Sequence, residues 1–266
     1  MSSSLLELIN ISKDYTGSSG SHKHVLSEIN ITLKNVVTEG YVASIIGPVN
    51  SGKSTLLKII SGIEHQTSGV KRIFGKEYNI ADGSIVYIPE NPSSLPWLNV
   101  RENIEFVLNQ KKINIDKTFV KKIINDVELT GYENHLPDDK SLGFRFRISL
   151  SRALAVSPKI ILLDEPFIRM STETKSEIFS LLKNICKNYH VVFILATINI
   201  IDSIILSKIL FLLSKDTGTI FDKMEVELGN STLHSPFKDE KFLDLLNRVE
   251  LKLREKNISE TITFSV

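Results

Sequence analysis

Residues 41 to 63 restrict the fold of this chain more than any other stretch. They run Tyr41-Val-Ala-Ser-Ile-Ile46, then Gly47-Pro-Val-Asn-Ser-Gly-Lys-Ser-Thr55, then an apolar-periodic segment from Ser54 to Ile63. The first run is short and apolar, as a buried strand requires, and the last has helical spacing. Between them lies the pattern Gly, four residues, Gly, Lys, Ser/Thr. Glycines let the backbone fold into a nest whose N–H groups face anionic oxygens. The helix that follows adds the positive end of its dipole. Lys53 supplies a point charge for the β- and γ-phosphates, and the Ser54 hydroxyl can ligate Mg2+. The chain is therefore expected to bind a nucleotide such as ATP.

Such a site needs carboxylates, and Ile160-Ile-Leu-Leu-Asp-Glu-Pro166 places two at the end of an apolar run. Adjacent strand residues point to opposite sides, so the two acids can have separate roles. Asp164 is expected to hold the Mg2+ shell and Glu165 to polarise an attacking water.

The remaining chain fits a mixed α/β protein. Leu6, Leu8 and Ile11 mark one early strand, and Ile29, Ile31 and Leu33 a second. Gly17 to His24 reads as a flexible loop; His22 and His24 lack a third ligand and read as solvated. Further strands are expected at Ile73 and Ile85–Ile88, and helices over 99–155 with breaks near Asn114, Gly131, Pro137 and Gly143. Thr172–Lys187 reads as an amphipathic helix in which Cys186 packs inertly. The window 191–213 has the length of a membrane span. It contains Asn199, Asp202 and Lys208, however, and divides into strand, short helix and strand. Residues 230–236 read as a linker before a charged helix over 239–255. On that helix Phe242, Leu245, Leu246, Val249 and Leu253 form one stripe. With 266 residues and 42% apolar content the chain can bury a core, and one cysteine excludes an internal disulfide. No secretory signal is read at the N-terminus. The net charge of +1 argues against coating nucleic acid or an anionic membrane.

Together these motifs resemble the ATPase subunit of ABC transporters, over nearly the whole chain. Ile85 to Ile104, with Pro92, Leu95-Pro-Trp97 and Val100-Arg-Glu-Asn-Ile104, is similar to the loop after the Q-loop glutamine in the nitrate/sulfonate/taurine importer group. The tail from Pro236 through Leu253 resembles that group's C-terminal helix. The resemblance implies an α/β fold: a P-loop NTPase (RecA-like) core, an antiparallel β subdomain and an inserted helical subdomain at about 91–155. The nucleotide-binding domain would span 1–229, and a linker and helix 230–266. It implies ATP held by Gly47, Pro48, Val49, Asn50, Ser51, Gly52, Lys53, Ser54 and Thr55. Two subunits would sandwich two ATP molecules, each site completed by the other chain's signature loop, here Ser141 and Gly143. Tyr15 sits where the family stacks an aromatic on adenine; a strand-edge tyrosine is the alternative. Trp97 lies where the family meets a permease, or else in a subdomain core.

Several positions depart from the family pattern. The Q-loop glutamine position holds Glu90, which can ligate Mg2+ but cannot donate an amide hydrogen bond, and adds negative charge near the γ-phosphate. Lys140-Ser-Leu-Gly-Phe-Arg-Phe-Arg147 stands for the signature, with Leu142 at the first glycine, where a side chain is expected to crowd the partner's nucleotide. Arg147 and Arg152 follow the pattern. Ser171 occupies the D-loop aspartate position, Thr197 the switch histidine, and Asn50 a glycine. Catalytic duty would fall on Glu165, Thr197 and Glu90, and metal binding on Ser54, Asp164 and Glu90.

The resemblance implies a peripheral subunit at the cytoplasmic face of the membrane. Its partners would be transmembrane permease subunits, a second ATPase subunit (identical or different) and, indirectly, a solute-binding protein, with no nucleic acid. Two readings of activity stand: an ATPase that energises import of a small solute of the nitrate, sulfonate or taurine kind, or a degenerate, mainly ATP-binding regulatory subunit in a heterodimer. A soluble DNA-repair or translation ATPase is disfavoured by the single phosphate loop and the near-zero charge.

Overall fold

Short apolar runs become buried parallel strands when both faces of a sheet are covered, and this decides the centre of the molecule. The computed structural model describes residues 4–16, 21–35, 39–77, 83–91, 94–137, 140–228 and 236–262. In chain order the elements are β1 (Ser4–Thr16), β2 (His22–Lys34), β3 (Tyr41–Ile46), α1 (Lys53–Ser61), β4 (Ser68–Ile73), β5 (Lys76–Glu77), β6 (Ile85–Ile88), α2 (Val100–Gln110) and α3 (Lys117–Asp126). Then follow α4 (Leu142–Ala155), β7 (Ile160–Asp164), α5 (Thr172–Tyr189), β8 (Val192–Thr197), α6 (Ile200–Leu206), β9 (Ile209–Leu213), β10 (Ile220–Glu225) and α7 (Glu240–Ile262).

Two sheets result. A six-stranded sheet has the order β10-β9-β3-β8-β7-β6, parallel except for β10. A four-stranded antiparallel sheet has the order β2-β1-β4-β5. The period-2 alternation of a strand explains how one sheet serves two cores. Val42, Ile161, Leu163, Phe193 and Leu195 face α2, α3, α4 and α5. Their neighbours Ala43, Leu162 and Ile194 face α1 and the four-stranded sheet. A third cluster joins β9, β10 and α6 to the apolar stripe of α7, where Phe242, Leu245 and Val249 are buried.

The window 191–213 divides into β8, α6 and β9, and no helix among the described residues is long and apolar enough to cross a membrane. Two expectations need correction. His22, Lys23 and His24 are strand rather than loop, paired with Thr16, Tyr15 and Asp14 of β1. His24 Nδ1 lies 2.5 Å from Asp14 Oδ1. Long-range pairing overrides the loop-like composition there; Gly17–Gly20 lie outside the described residues. β10 was not anticipated, because Ile-Phe-Asp-Lys-Met-Glu shows little alternation and gains its strand form only by pairing with β9. Pro92 and the 229–235 part of the expected linker also lie outside the described residues.

Helix ends carry sequence-encoded caps. Asn99 and Glu102 form a reciprocal capping box on α2, Asp116 caps α3, and Ser141 caps α4. Arg147 on α4 binds the carboxylates of Glu128 and Glu177, which ties the helices together. The segment before α2 is held by one buried side chain. Asn103 Oδ1 accepts from Leu95 N–H at 2.9 Å, and its Nδ2 donates to the carbonyls of Leu95, Leu98 and Asn99. Trp97 stands on this tethered segment, 70% exposed, so the subdomain-core alternative for it does not hold.

Asn103→Leu leaves the part-buried Leu95 amide and the Leu95 and Leu98 carbonyls without these partners. Urea unfolding is expected to show a loss of about 2–4 kcal/mol. Trp97 is the sole tryptophan, so its fluorescence anisotropy should fall in the folded variant as the segment loosens.

Candidate active site

Register brings the site together. Ile46 pairs with Thr197, and Asp164 with Ala196, so β3, β7 and β8 end at one level. The loops after them converge at the carboxyl edge of the sheet, where open α/β sheets bind ligands.

α1 opens this edge. Its cap, Gly52, has φ 96 and supplies no side-chain hydrogen bond, and no acidic residue stands in the first turn. The orphan N–H groups of the first turn are thus left for an anion. Asn50 has φ 65, a left-handed geometry that asparagine tolerates better than most residues, which accounts for its place at the family's glycine position. Gly47 has no room for more: an added Cβ would meet the Leu213 carbonyl at 2.6 Å and Ser51 Oγ at 2.8 Å. Ser51 Oγ is itself buried without a partner. An orphaned hydroxyl and an uncapped helix start, in a glycine-shaped cradle, match what a phosphate requires.

Lys53 is buried beneath the loop. Its Nζ donates to the carbonyls of Gly47 at 2.9 Å and Pro48 at 2.8 Å, and lies 3.6 Å from Glu165 Oε1. Burial pulls this ammonium below its ordinary pKa, against the opposing pull of Glu165 and Asp164. Ser54 Oγ donates to Asp164 Oδ1 at 2.9 Å, and the Tyr87 hydroxyl donates to Asp164 Oδ2 at 2.7 Å. Glu165 sits at φ 45, its own N–H bound to the Ala196 carbonyl. Its Oε2 accepts from the Ile198 N–H at 3.2 Å. Burial, offset in part by Lys53, holds its carboxyl above the ordinary glutamate range, which suits a base working near neutral pH.

Lys53, Ser54 and Glu165 border a cavity of about 580 Å3, of nucleotide size, and Asp164 is joined to it through its bond to Ser54. Its wall includes Tyr15, Lys23, Val49 to Thr55, Glu90, Glu165, Ile168 and Ile198. Tyr15 stands at its rim, with Lys13 Nζ 4.7 Å from the ring centroid.

A family model described as ABC transporter matches residues 29–168, more than half of the chain. The chain belongs to the ABC transporter family. It is 32% identical to the aliphatic sulfonates import ATP-binding protein SsuB 2 of Pseudomonas syringae pv. tomato, over 77% of this chain and 82% of that protein. It is 30% identical to the corresponding SsuB of Bacillus licheniformis, over 90% of each. To the spermidine/putrescine import ATP-binding protein PotA of Spiroplasma citri it is 35% identical, over 74% of this chain and 55% of that one. Among solved structures, a dimeric bacterial ABC transporter cassette superposes with a TM-score of 0.70 at 26% identity, covering 84% of this chain and all of that one. Cassettes of this family bind and hydrolyse ATP, dimerise and work with transmembrane permeases.

In this ABC subunit the departing positions are accommodated within the chain. Glu90 pairs with Arg169 at 3.2 Å, so its charge does not face the site unopposed. Both partners are well exposed, and such a pair is worth only ~0–1 kcal/mol. Leu142 packs against the core of α2–α4. Ser171 caps α5 by accepting from Thr174 N–H at 3.3 Å. Thr197 is buried; its hydroxyl accepts from Asn199 N–H at 3.1 Å and helps to restrain the upward pKa shift of Glu165. Ser141 and Gly143 do not border the cavity. Ser141 caps α4, and a Cβ on Gly143 would meet Thr174 Cγ2 at 2.6 Å. Sequence reasoning missed Tyr87 and Arg169. Each stands beside a motif position without being one, and only the fold brings them to Asp164 and Glu90.

Glu165 carries a testable pH signature. The native carboxyl keeps its proton to a higher pH than the unfolded one, so the native state binds more protons across that window. Stability from this group therefore falls as pH rises through it. Glu165→Gln should raise the thermal midpoint of the nucleotide-free protein at pH 8, with the gain vanishing as pH drops towards the ordinary glutamate pKa. Calorimetry across that range checks it.

Proposed function

We propose that this ABC subunit binds ATP·Mg2+ at the β3–α1 loop and hydrolyses it to energise import of a small solute. One observation supports this above the others: Ser54 bonds Asp164 at 2.9 Å and Lys53 pairs with Glu165 at 3.6 Å, beside an uncapped helix start. The loop Gly47 to Thr55 takes the phosphates: the N–H groups after Gly52 and the Ser51 hydroxyl donate, and Lys53 leaves its own carbonyls to meet them. Tyr15 stacks on the base. Ser54 and Asp164, with Glu90 in reach of the cavity, would hold Mg2+, which offsets phosphate charge. Glu165 accepts the proton of the attacking water, and Thr197 orients Glu165. Ser141 and Gly143 would complete the site of a second subunit.

Relatives named for aliphatic sulfonate import extend over most of the chain, and this favours a small organic sulfonate or similar oxyanion as the solute. The solute would reach the permease by way of a solute-binding protein. Exposed Trp97 on its tethered segment suits contact with the permease, which would place the subunit peripherally at the cytoplasmic face. The nucleotide-binding unit is taken as 1–229, with the helical insertion at about 91–155 and the linker and helix at 230–266.

A second reading, a mainly ATP-binding regulatory subunit paired with a competent ATPase, draws on Thr197 and the altered signature. Retention of Glu165, held above the ordinary glutamate range, favours hydrolysis instead.

Steady-state ATPase of the purified chain, alone and with candidate partners, decides between them. Robust turnover by the chain alone sinks the regulatory reading. Lys53→Ala should abolish nucleotide binding. Thr197→His should raise turnover by roughly 10-fold or more, towards the 10²–10³ that one aligned donor is worth. The acid limb of the rate profile should lie above the ordinary glutamate pKa and disappear in Glu165→Gln.

A further inference from the structure

Asp164 has two protein partners, and only one of them belongs to a nucleotide motif. Oδ1 takes the Ser54 hydroxyl at 2.9 Å, and Oδ2 takes the Tyr87 phenol at 2.7 Å. Tyr87 lies on β6, opposite Leu162 of β7 and so beside the strand that carries Asp164. Its ring packs against the apolar core shared by α1 and the two sheets. Packing fixes the ring, and a fixed ring gives the hydroxyl one direction to serve. A phenol donates and a carboxylate accepts, so the bond is an O–H donated to Oδ2.

We propose that Tyr87 is a positioning residue for divalent-cation binding at Asp164. A carboxylate with a single partner can rotate and present either oxygen. Here the Tyr87 bond anchors Oδ2, so Oδ1, 2.9 Å from Ser54 Oγ, is the oxygen that would be left with Ser54 for a cation. Groups that orient a ligating carboxylate commonly govern metal affinity by 10–100-fold. The inference rests on the nucleotide–metal reading of the site, but it assigns a role to a residue that no motif position covers.

The test separates metal from nucleotide. Tyr87→Phe keeps the ring and removes the hydroxyl; Tyr87→Met keeps apolar bulk without the ring. On the full chain, a fluorescent trinitrophenyl-ATP analogue is titrated in EDTA. Mn2+ binding to the ATP-loaded protein is then followed by electron paramagnetic resonance. Metal-free nucleotide affinity should stay within about twofold of the parent, while Mn2+ affinity falls about tenfold in both variants. A folded variant with parental Mn2+ affinity overturns the proposal. So does an equal loss of metal-free and metal-loaded binding, which a purely packing role would give. If the parent shows no Mn2+ dependence at all, the nucleotide–metal reading itself fails. Parental dependence with an unchanged variant sinks the role of Tyr87 alone.

Discussion

The parallel register of β3, β7 and β8 is the constraint on which the site depends. Ile46, Asp164 and Thr197 end their strands at one level because Ile46 pairs with Thr197 and Asp164 with Ala196. A slip of one residue would turn every side chain on a strand to the other face. Val42, Leu163 and Phe193 would then exchange cores with Ala43, Leu162 and Ile194. Burial on both faces therefore fixes the register, and the register fixes where Gly47, Glu165 and Thr197 begin their loops.

Electrostatics are local rather than global. The chain as a whole is close to neutral, yet the site buries an ammonium beside two carboxylates. Lys53 is held by its own loop carbonyls and by Glu165. Those contacts are weaker attractions than phosphate oxygens would offer, so the lysine is kept in place without being satisfied to the full. The same desolvation that depresses Lys53 elevates Glu165. One buried pocket thus shifts a cation and a carboxylate in opposite senses from their ordinary values.

The departures from the family pattern come with local compensation. Glu90 has Arg169, Leu142 has an apolar core to enter, Ser171 keeps a helix cap, and Asn50 has the left-handed φ it tolerates. Thr197 is buried, and its hydroxyl accepts from the Asn199 amide.

Sequence alone determined the parts whose chemistry is contiguous. The loop Gly47 to Thr55, the acids Asp164 and Glu165, the buried strands and the apolar stripe of α7 could each be read from neighbouring residues, because spacing and periodicity are local properties. It did not reveal β10, the strand form of His22–His24, the anchoring of the Trp97 segment by Asn103, or the partners Tyr87 and Arg169. Tyr87 is 77 positions from Asp164, and Arg169 is 79 from Glu90. Contacts across such separations follow from strand order and packing, which no short pattern contains. Tertiary structure therefore decided which oxygen of Asp164 is held, what answers the charge of Glu90, and which way Trp97 faces.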